Sequence, residues 1–265
     1  MSASTGRLRP LPRLHGAVRG LRICTLDIET RPILGHVWGL FDQRLGLNQV
    51  VEHGDIMSVG FKFLGEPVQH VAEWDEGGYD AMVKTVFNVI DEADILVTYN
   101  GKSFDEKKLN WAFARAGFDR PAPYKSIDLI RVVRRQFAPD SKKLDHVASE
   151  LGLGNKLATG GMDLWTKAMA GDVKSQAKME RYCKQDVVLT EKLYLRLLPW
   201  LPDTVNLPAL AGVGYGCPTC GSPKVRNAPK ALAAAASTYA LLKCGNCGSW
   251  AKGPQASAAT QLRAA

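Results

Sequence analysis

Runs of apolar and β-branched residues in the first hundred positions predict four strands and one helix. The run LRICTLDIET, which starts at Leu21, has the composition of a central strand buried on both faces. The runs DIMSVGFKFL and PVQHVAEW meet at Gly65 and Glu66, as the two strands of a hairpin do. Residues 79 to 91 carry apolar side chains at helical spacings, and DILVTYN follows as a short buried strand. The predicted order is βββαβ, and the first three strands are expected to be antiparallel.

Helical patterns follow from Asn100 onward. The segments FDEKKLNWAFARAG, SIDLIRVVRRQF and KKLDHVASELGL each combine a charged face with an apolar face, which predicts three amphipathic helices. A longer helix is predicted from about Val173 to Leu198, and Pro199 and Pro202 end it. This pattern predicts an α/β domain over residues 21 to 202, with a mixed sheet flanked by helices.

Four cysteines characterise the end of the chain. Residues 203 to 216 read as a linker rich in Pro, Gly and small residues, and a cysteine-bearing segment occupies residues 217 to 252. Cys217, Cys220, Cys244 and Cys247 have the spacing C-x2-C-x23-C-x2-C, with a glycine after each pair. Four thiolates at such a spacing suit one structural Zn²⁺, so the segment resembles a zinc ribbon. A redox pair is the alternative, although no thioredoxin-like context accompanies it.

Charge is distributed unevenly along the chain. The net charge of the 265 residues is +8, and residues 1 to 26 carry five basic residues and no acid. Residues from 201 onward also sum to +5, which leaves residues 27 to 200 at −2. Basic ends suit a polyanionic partner, and a mildly acidic middle suits carboxylates that bind cations. The ribbon is therefore expected to grip nucleic acid; improved solubility is the alternative reason for the basic ends.

The sequence contains neither an apolar stretch long enough to span a bilayer nor the apolar centre of a secretory signal. We therefore expect a cytoplasmic protein without a membrane partner, with flexible tails at residues 1 to 20 and 253 to 265. An organellar transit peptide would share the arginine-rich, acid-free composition of the first 22 residues.

Carboxylates stand on three predicted elements. Asp27 and Glu29 are two apart on the first strand, so both project from the same face, about 6.6 Å apart along it. Asp105 begins a helix after YNGKSFD, and Tyr182 and Asp186 share one face of the last long helix. Paired carboxylates become favourable when Mg²⁺ or Mn²⁺ lies between them. Taken singly, the strand pair can also be a surface strand end, and Asp105 can be a helix cap.

In this order, LDIET, YNGKSFD and Tyr-x-x-x-Asp resemble the three Exo motifs of the DnaQ-like, or DEDD, 3′-to-5′ exonucleases. Arg181 stands where the other subclass has its histidine, so the third motif resembles the DEDDy branch, which includes the proofreading domains of family B polymerases. The segment KLDHVASELGLGNK is also similar to part of those domains, and the compact build is similar to phage-encoded exonucleases. The resemblance covers about residues 21 to 200 and implies an RNase H-like fold.

The same resemblance implies roles for individual residues. It implies that two Mg²⁺ or Mn²⁺ ions are held by four carboxylates, Asp27, Glu29, Asp105 and Asp186, and that Tyr182 positions the attacking water. It further implies that Thr30, Asn100 and Phe104 lie near the terminal nucleotides, although Phe104 can equally be a core aromatic residue.

The implied reaction is hydrolysis from the 3′ end of single-stranded DNA, which releases nucleoside monophosphates. RNA is the alternative substrate, since related DEDDy proteins process it, and a replication or repair protein is a candidate partner. The rival of another class is a non-catalytic protein that binds nucleic acid through its ribbon. Outside the motifs, Asp128 and Asp145 are predicted to be N-caps, and no histidine shows the spacing of a metal ligand.

Overall fold

The computed structural model describes residues 10–201, 205–234 and 237–259. The chain divides into two compact units. The sheet unit comprises Arg22–Arg131 and Asp140–Glu191. The ribbon unit comprises the described parts of Met1–Leu21, Val132–Pro139 and Lys192–Ala265.

Both units combine β-strands with α-helices. Within the described residues the strands are β1 (Ile23–Thr30), β2 (Leu34–Gly35), β3 (Val50–Glu52), β4 (Ile56–Phe63), β5 (Gln69–Ala72), β6 (Ile95–Thr98), β7 (Lys125–Asp128), β8 (Val225–Ala234), β9 (Ser237–Cys244) and β10 (Trp250–Ala259). The α-helices there are α1 (Gly78–Asp91), α2 (Asp105–Arg115), α3 (Leu129–Gln136), α4 (Leu144–Glu150), α5 (Met162–Met169), α6 (Val173–Leu197) and α7 (Leu207–Leu210).

The sheet unit is built on a five-stranded sheet with the order β5-β4-β1-β6-β7. Strand β4 pairs antiparallel with both β1 and β5, whereas the β1–β6 and β6–β7 pairs are parallel. The predicted fold class, a mixed α/β sheet that begins with three antiparallel strands, is therefore confirmed.

Strand β1 lies at the centre of this sheet and is buried on both faces, as its continuous apolar run predicts. Cys24, Leu26 and Ile28 belong to a core that the sheet forms with α1 and α2. On β4, Ile56 joins the same core, whereas the neighbouring Met57 packs with residues of α5 and α6. Because neighbouring strand residues point to opposite faces, helices cover both sides of the sheet.

Several stretches of the sheet unit differ from the sequence-based prediction. Ser126–Asp128 was expected to be helical but belongs to β7, because its backbone pairs with β6 and the helix begins only at Leu129. The segment after β1 contains the short paired strands β2 and β3, which were not predicted. Helix α5 was not predicted.

The ribbon unit contains an antiparallel sheet with the order β10-β9-β8. Strand β10 pairs with β9 as far as Ala259, so the sheet continues beyond residue 252, where the sequence predicts a flexible tail. The predicted linker contains α7, whose N-cap Asn206 accepts a hydrogen bond from the N–H of Ala209. These differences arise from backbone pairing and capping that composition alone does not indicate.

The described part of the predicted N-terminal tail is also ordered against the ribbon. The N–H of His15 donates to the carbonyl of Cys220 at 2.8 Å, and Val18 is buried. Residues 1–9 and 260–265 of the predicted tails, and residues 203 and 204 of the predicted linker, lie outside the described residues. Among the described helices, none combines the length and the apolar composition that crossing a bilayer requires.

Candidate active site and cysteine cluster

The first pair of carboxylates lies at the end of the central strand. Glu29 is buried and Asp27 is partly exposed, and the backbone between them contacts the second motif. The N–H of Ile28 donates to Oδ1 of Asp105 at 3.2 Å. Phe104, not Asp105, is the N-cap residue of α2, so the capping interpretation of Asp105 is wrong. Its side chain instead ties the start of α2 to β1.

The backbone conformation of the turn before α2 explains why Asn100 and Gly101 occur there. Asn100 adopts a left-handed conformation with φ of 73°, and its N–H donates to Oδ1 of Asp128 at 2.7 Å. A Cβ atom on Gly101 would lie 2.3 Å from Oγ1 of Thr98. Asn100 makes the sharp turn, and glycine follows it because a side chain at position 101 does not fit.

Helix α6 brings the third motif to the sheet through a close approach at Gly60 of β4. A Cβ atom on Gly60 would lie 2.9 Å from Sγ of Cys183, so glycine allows the helix to lie directly on the strand. Gly60 is the cross-strand partner of Asp27, and the Cys183 thiol donates to the carbonyl of Asp27 at 3.7 Å. Tyr182 and Asp186 are therefore held beside the end of β1.

The four predicted metal-binding carboxylates converge in one place. Carboxylate oxygens of Asp27 and Glu29 lie within 4.8 Å of each other and of Sγ of Cys183. Burial raises the pKa of Asp27 well above its usual range, and the neighbouring charges of Asp105, Glu29 and Asp186 raise it further. Like charges of this kind raise one another's pKa only when they lie close together. The structure thus brings all four residues into a shared electrostatic environment.

The other three carboxylates respond to the same environment. Burial, followed by the charge of Asp186, raises the pKa of Glu29 to about 8. Burial raises the pKa of Asp105 to about 6 and also raises that of Asp186. A cluster of carboxyl groups with raised pKa values favours either protons or cations over free negative charge.

Lys156 contacts the candidate site although it belongs to none of the three motifs. Its Nζ donates to Oδ2 of Asp186 at 2.5 Å and to the hydroxyl of Tyr182 at 3.2 Å. Burial alone would lower the pKa of Lys156, but Asp186 raises it above its usual value, so the ammonium stays charged. The signal was present in the segment KLDHVASELGLGNK, which ends at Lys156, but spacing alone does not show which carboxylate the lysine meets.

Tyr182 faces this cluster with a protonated hydroxyl. Burial and the charge of Asp186 raise the pKa of Tyr182 to about 12. The ring of Trp165 meets the Tyr182 ring edge-on, with the centroids 6.1 Å apart. The phenol can therefore donate or accept a hydrogen bond near neutral pH but does not carry a negative charge.

The predicted substrate-binding residues lie at the ends of the same elements. Thr30 ends β1 next to a register shift, and Asn100 is half-buried in the turn before α2. Phe104 has 41% of its surface exposed, so the core alternative for this residue is wrong.

Asp128 and Asp145, the two predicted N-caps, differ in their contacts. Oδ1 of Asp128 accepts hydrogen bonds from the N–H groups of Ile130 and Asn100, as expected of a residue that caps α3. Asp145 is not the N-cap of α4, because Lys143 holds that position and Asp145 instead accepts a hydrogen bond from the N–H of Lys156. Asp145 therefore helps to fix the segment that carries Lys156.

Oxygen ligands for a hard cation are present in the carboxylate cluster. Oδ1 of Asp186 is buried without a hydrogen-bond partner, an arrangement that costs free energy unless a cation or water satisfies the oxygen. The carboxylates of Asp27 and Glu29 supply further oxygens nearby. Burial raises the pKa of Cys183 far above its usual value, so this thiol remains neutral and is a poor ligand. The donor set fits Mg²⁺ or Mn²⁺.

The four ribbon cysteines form a second cluster. All four are buried, and the Cys217–Cys247 and Cys220–Cys244 sulfur pairs are each separated by 3.7 Å. A disulfide requires about 2.05 Å between sulfurs, whereas four sulfurs around Zn²⁺ at about 2.3 Å lie about 3.8 Å apart. The spacing therefore fits a tetrahedral zinc site and excludes disulfide bonds in this conformation.

Each cysteine pair ends in the same type of turn. The N–H of Gly221 donates to the carbonyl of Cys217, and that of Gly248 donates to the carbonyl of Cys244. Both glycines have positive φ values, 72° and 85°. The repeated turn aims the two sulfurs of each pair to one side, as a closed structural site requires.

Comparisons with known proteins agree with this architecture. A model of the RNase H superfamily matches residues 46–198, which is more than half of the chain. A family B DNA polymerase from the hyperthermophilic archaeon Pyrobaculum calidifontis is structurally similar, with a TM-score of 0.51, 18% sequence identity and 83% of this chain covered. The chain spans about a third (33%) of that polymerase. A search of curated protein sequences finds no significant match. The chain belongs to the RNase H superfamily.

Proposed function

We propose that this protein is a metal-dependent nuclease that hydrolyses phosphodiester bonds at the 3′ end of single-stranded DNA. The observation that carries the proposal is the convergence of Asp27, Glu29, Asp105 and Asp186, whose pKa values are all raised. A buried cluster of this kind opposes folding unless cations bind it, so its presence favours a catalytic metal site over a structural role.

Metal ligation is assigned to the four carboxylates. We assign two Mg²⁺ or Mn²⁺ ions to oxygens of Asp27, Glu29, Asp105 and Asp186, and the unpartnered Oδ1 of Asp186 supports this assignment. When bound, such ions supply Lewis-acid activation of water and stabilise the leaving oxygen. Hydrolysis forms a bond from the water oxygen to phosphorus and breaks the bond to the 3′ oxygen of the shortened strand. The products are a nucleoside monophosphate and a strand with a free 3′ hydroxyl.

Tyr182 and Lys156 act on the same face of the site in this proposal. Because the pKa of Tyr182 is about 12, its hydroxyl orients the attacking water and does not remove a proton from it. Lys156 holds both Tyr182 and Asp186 by hydrogen bonds, so it fixes the position of the phenol and neutralises part of the cluster's charge. The order of the three motifs, which resembles that of the DEDDy exonucleases, favours cleavage from a 3′ end.

Substrate contacts are assigned to Thr30, Asn100 and Phe104. Phe104 is an exposed aromatic residue directly before Asp105, so its ring is free to pack on a terminal base. RNA is the alternative substrate, and the hydrolysis assay includes it.

The test uses the purified full chain with single-stranded DNA and RNA of the same sequence, each carrying a label at the 5′ end. We expect a ladder that shortens from the 3′ end only when Mg²⁺ or Mn²⁺ is present. Asp186→Asn should reduce kcat by at least about a hundredfold, since it removes a metal ligand but keeps the size of the side chain. Asp163→Asn is the matched control, because Asp163 is 69% exposed and pairs with Lys167 on the surface.

Three outcomes would count against the proposal. Cleavage in the interior of the strand would make the protein an endonuclease. Intact substrate under all conditions would favour a binding protein with an inactive site. Unchanged activity in Asp186→Asn would locate the chemistry elsewhere.

A further inference from the structure

The sheet of the ribbon unit has two chemically different faces. Side chains alternate between the faces of a strand, so Cys244, which points to the buried cysteine cluster, marks the inner face of β9. Tyr239 and Lys243 lie an odd number of positions from Cys244 and therefore share the opposite face. We call this opposite face the outer face.

Cross-strand pairing identifies the other residues of the outer face. Lys243 pairs with Arg226 of β8 and with Trp250 of β10, and Tyr239 pairs with Leu232. Lys252 pairs with Leu241, which lies between Tyr239 and Lys243 on the same face. Residues directly opposite each other in an antiparallel pair project to the same side. The outer face thus carries Arg226, Leu232, Tyr239, Lys243, Trp250 and Lys252.

Two aromatic rings on this face each have an ammonium group above them. The Nζ of Lys243 lies 4.7 Å from the centroid of the Trp250 ring, and the Nζ of Lys252 lies 4.9 Å from that of Tyr239. Trp250 is 51% exposed, and both lysines are exposed. A strand of nucleic acid offers a base for each ring and a phosphate for each ammonium, so the repeated ring-and-lysine pair matches its chemistry.

The positive charge of the ribbon segment favours a polyanion as its partner. Residues 205 to 259 contain Lys224, Arg226, Lys230, Lys243 and Lys252 and no Asp or Glu. A zinc ion with four thiolates contributes about −2, which leaves the segment about +3. A single strand is favoured over a duplex because its bases are free to stack on exposed rings.

A cavity adjoins one end of the outer face. It has a volume of about 330 Å³ and is lined by Trp250 and Lys243 together with Trp200 and Arg196. All four residues belong to the ribbon unit. Pockets for small ligands begin at about 300 Å³ and combine apolar walls with a few polar groups, so this cavity can take one base beside Trp250.

We propose that the outer face is a binding platform for single-stranded nucleic acid. Bases stack on Trp250 and Tyr239, displacing the ammonium groups of Lys243 and Lys252 toward the phosphates, and Arg226 contacts a further phosphate. This inference goes beyond the proposed hydrolysis, because the platform binds a strand whether or not the sheet unit cuts it.

The test measures binding of labelled oligo(dT), oligo(U) and duplex DNA to the full chain by fluorescence anisotropy. The Asp27→Asn background keeps the strand from being consumed. We expect Trp250→Ala to weaken oligo(dT) binding about 5- to 150-fold, the range found for loss of one stacked base. The double variant Lys243→Gln/Lys252→Gln should lower the slope of log K against log salt by about 1.4, or 0.7 for each phosphate contact. Duplex binding should change less in Trp250→Ala.

Matched controls and a zinc measurement separate binding from misfolding. Trp111→Ala and Lys84→Gln remove an exposed tryptophan and an exposed lysine from helices of the sheet unit and should leave the affinity unchanged. Each ribbon variant should retain its zinc, because the substituted side chains point away from the cysteines. If the zinc-retaining variants bind oligo(dT) and oligo(U) as tightly as the parent protein, the platform proposal is wrong.

The same variants separate this inference from the proposed nuclease. In the background with Asp27 intact, the ribbon variants should keep kcat at saturating substrate and lose only affinity. If the ribbon variants bind more weakly but the parent protein hydrolyses no substrate, the platform is supported and the proposed nuclease activity is wrong. If the parent protein hydrolyses substrate and all ribbon variants bind as tightly as the parent, the nuclease is supported and the platform is wrong.

Discussion

Replacing Lys156 by glutamine should destabilise the protein most when divalent cations are absent. The change removes the only charged partner that the described hydrogen bonds give to Asp186, whose side chain is 1% exposed. A buried carboxylate left alone costs about 3–5 kcal/mol, whereas an exposed pair contributes about 0–1 kcal/mol. Because the Lys156 side chain is 29% exposed, we place the loss between these limits, at about 2–3 kcal/mol.

Thermal unfolding with and without saturating Mg²⁺ measures this effect. A loss of about 2–3 kcal/mol corresponds to a decrease in Tm of about 5–10 °C for a domain of this size. If Mg²⁺ binds Asp186, it supplies the missing positive charge, so the difference between variant and parent should shrink when the ion is present. The difference should also shrink at mildly acidic pH, because the raised pKa of Asp186 lets a proton replace the partner.

Lys167→Gln is the matched control for Lys156→Gln. Lys167 also pairs with an aspartate, Asp163, but these side chains are 58% and 69% exposed, so the loss should stay below about 0.5 kcal/mol. An equal decrease in Tm with and without Mg²⁺ would refute the reasoning, because it would mean that no cation takes over the role of the ammonium. A decrease in Tm no larger than that of Lys167→Gln would show that the Asp186 carboxylate does not depend on its ion pair with Lys156.

Three further predictions concern the two clusters and Gly60. The free energy of unfolding without Mg²⁺ should fall as pH rises from about 4.5 to about 8, because the folded state holds the Glu29 proton more tightly than the unfolded chain does; Mg²⁺ should flatten this dependence, and denaturant titrations across pH would show whether it does. Native mass spectrometry should find one zinc ion per chain, and Cys244→Ser should lose it and unfold the ribbon unit; a fully zinc-loaded Cys244→Ser would contradict the four-cysteine site. Gly60→Ala should cost about 1–3 kcal/mol and lower activity, because its Cβ would lie 2.9 Å from Sγ of Cys183, whereas Gly20→Ala, with open space around it, should do neither.

Most of the sheet unit was predictable because local patterns and tertiary structure agree there. The continuous apolar run of β1 predicted a central strand, and the end of that strand predicted where Asp27 and Glu29 lie. The prediction was wrong at Ser126–Asp128. The spacing of apolar residues there continues the pattern of α3, but the backbone pairs with β6. Parallel pairing depends on a neighbour distant in sequence, so a local pattern does not reveal it.

Lys156 was not predicted for the same reason, because its position depends on residues distant in sequence. Lys156 lies 30 positions before Asp186 and 26 before Tyr182, and its place is fixed by the contact between its backbone and Asp145. Such a contact exists only after α4 and α6 have packed. Gly60 did carry a signal, since a glycine inside an apolar strand often marks a close approach of another element.

The close packing of the elements that hold the carboxylates would couple folding to the proposed cation binding. Asp27 and Glu29 lie on the central strand, Asp105 is tied to that strand by the N–H of Ile28, and α6 is seated at Gly60. The strand and the helices that carry these side chains cannot separate without breaking the sheet or its helix contacts. Protons, Lys156 and added cations can each relieve the repulsion between the carboxylates. A cation that binds this site must stabilise the folded state by the free energy of its own binding, so metal affinity and fold stability are two measurements of one interaction.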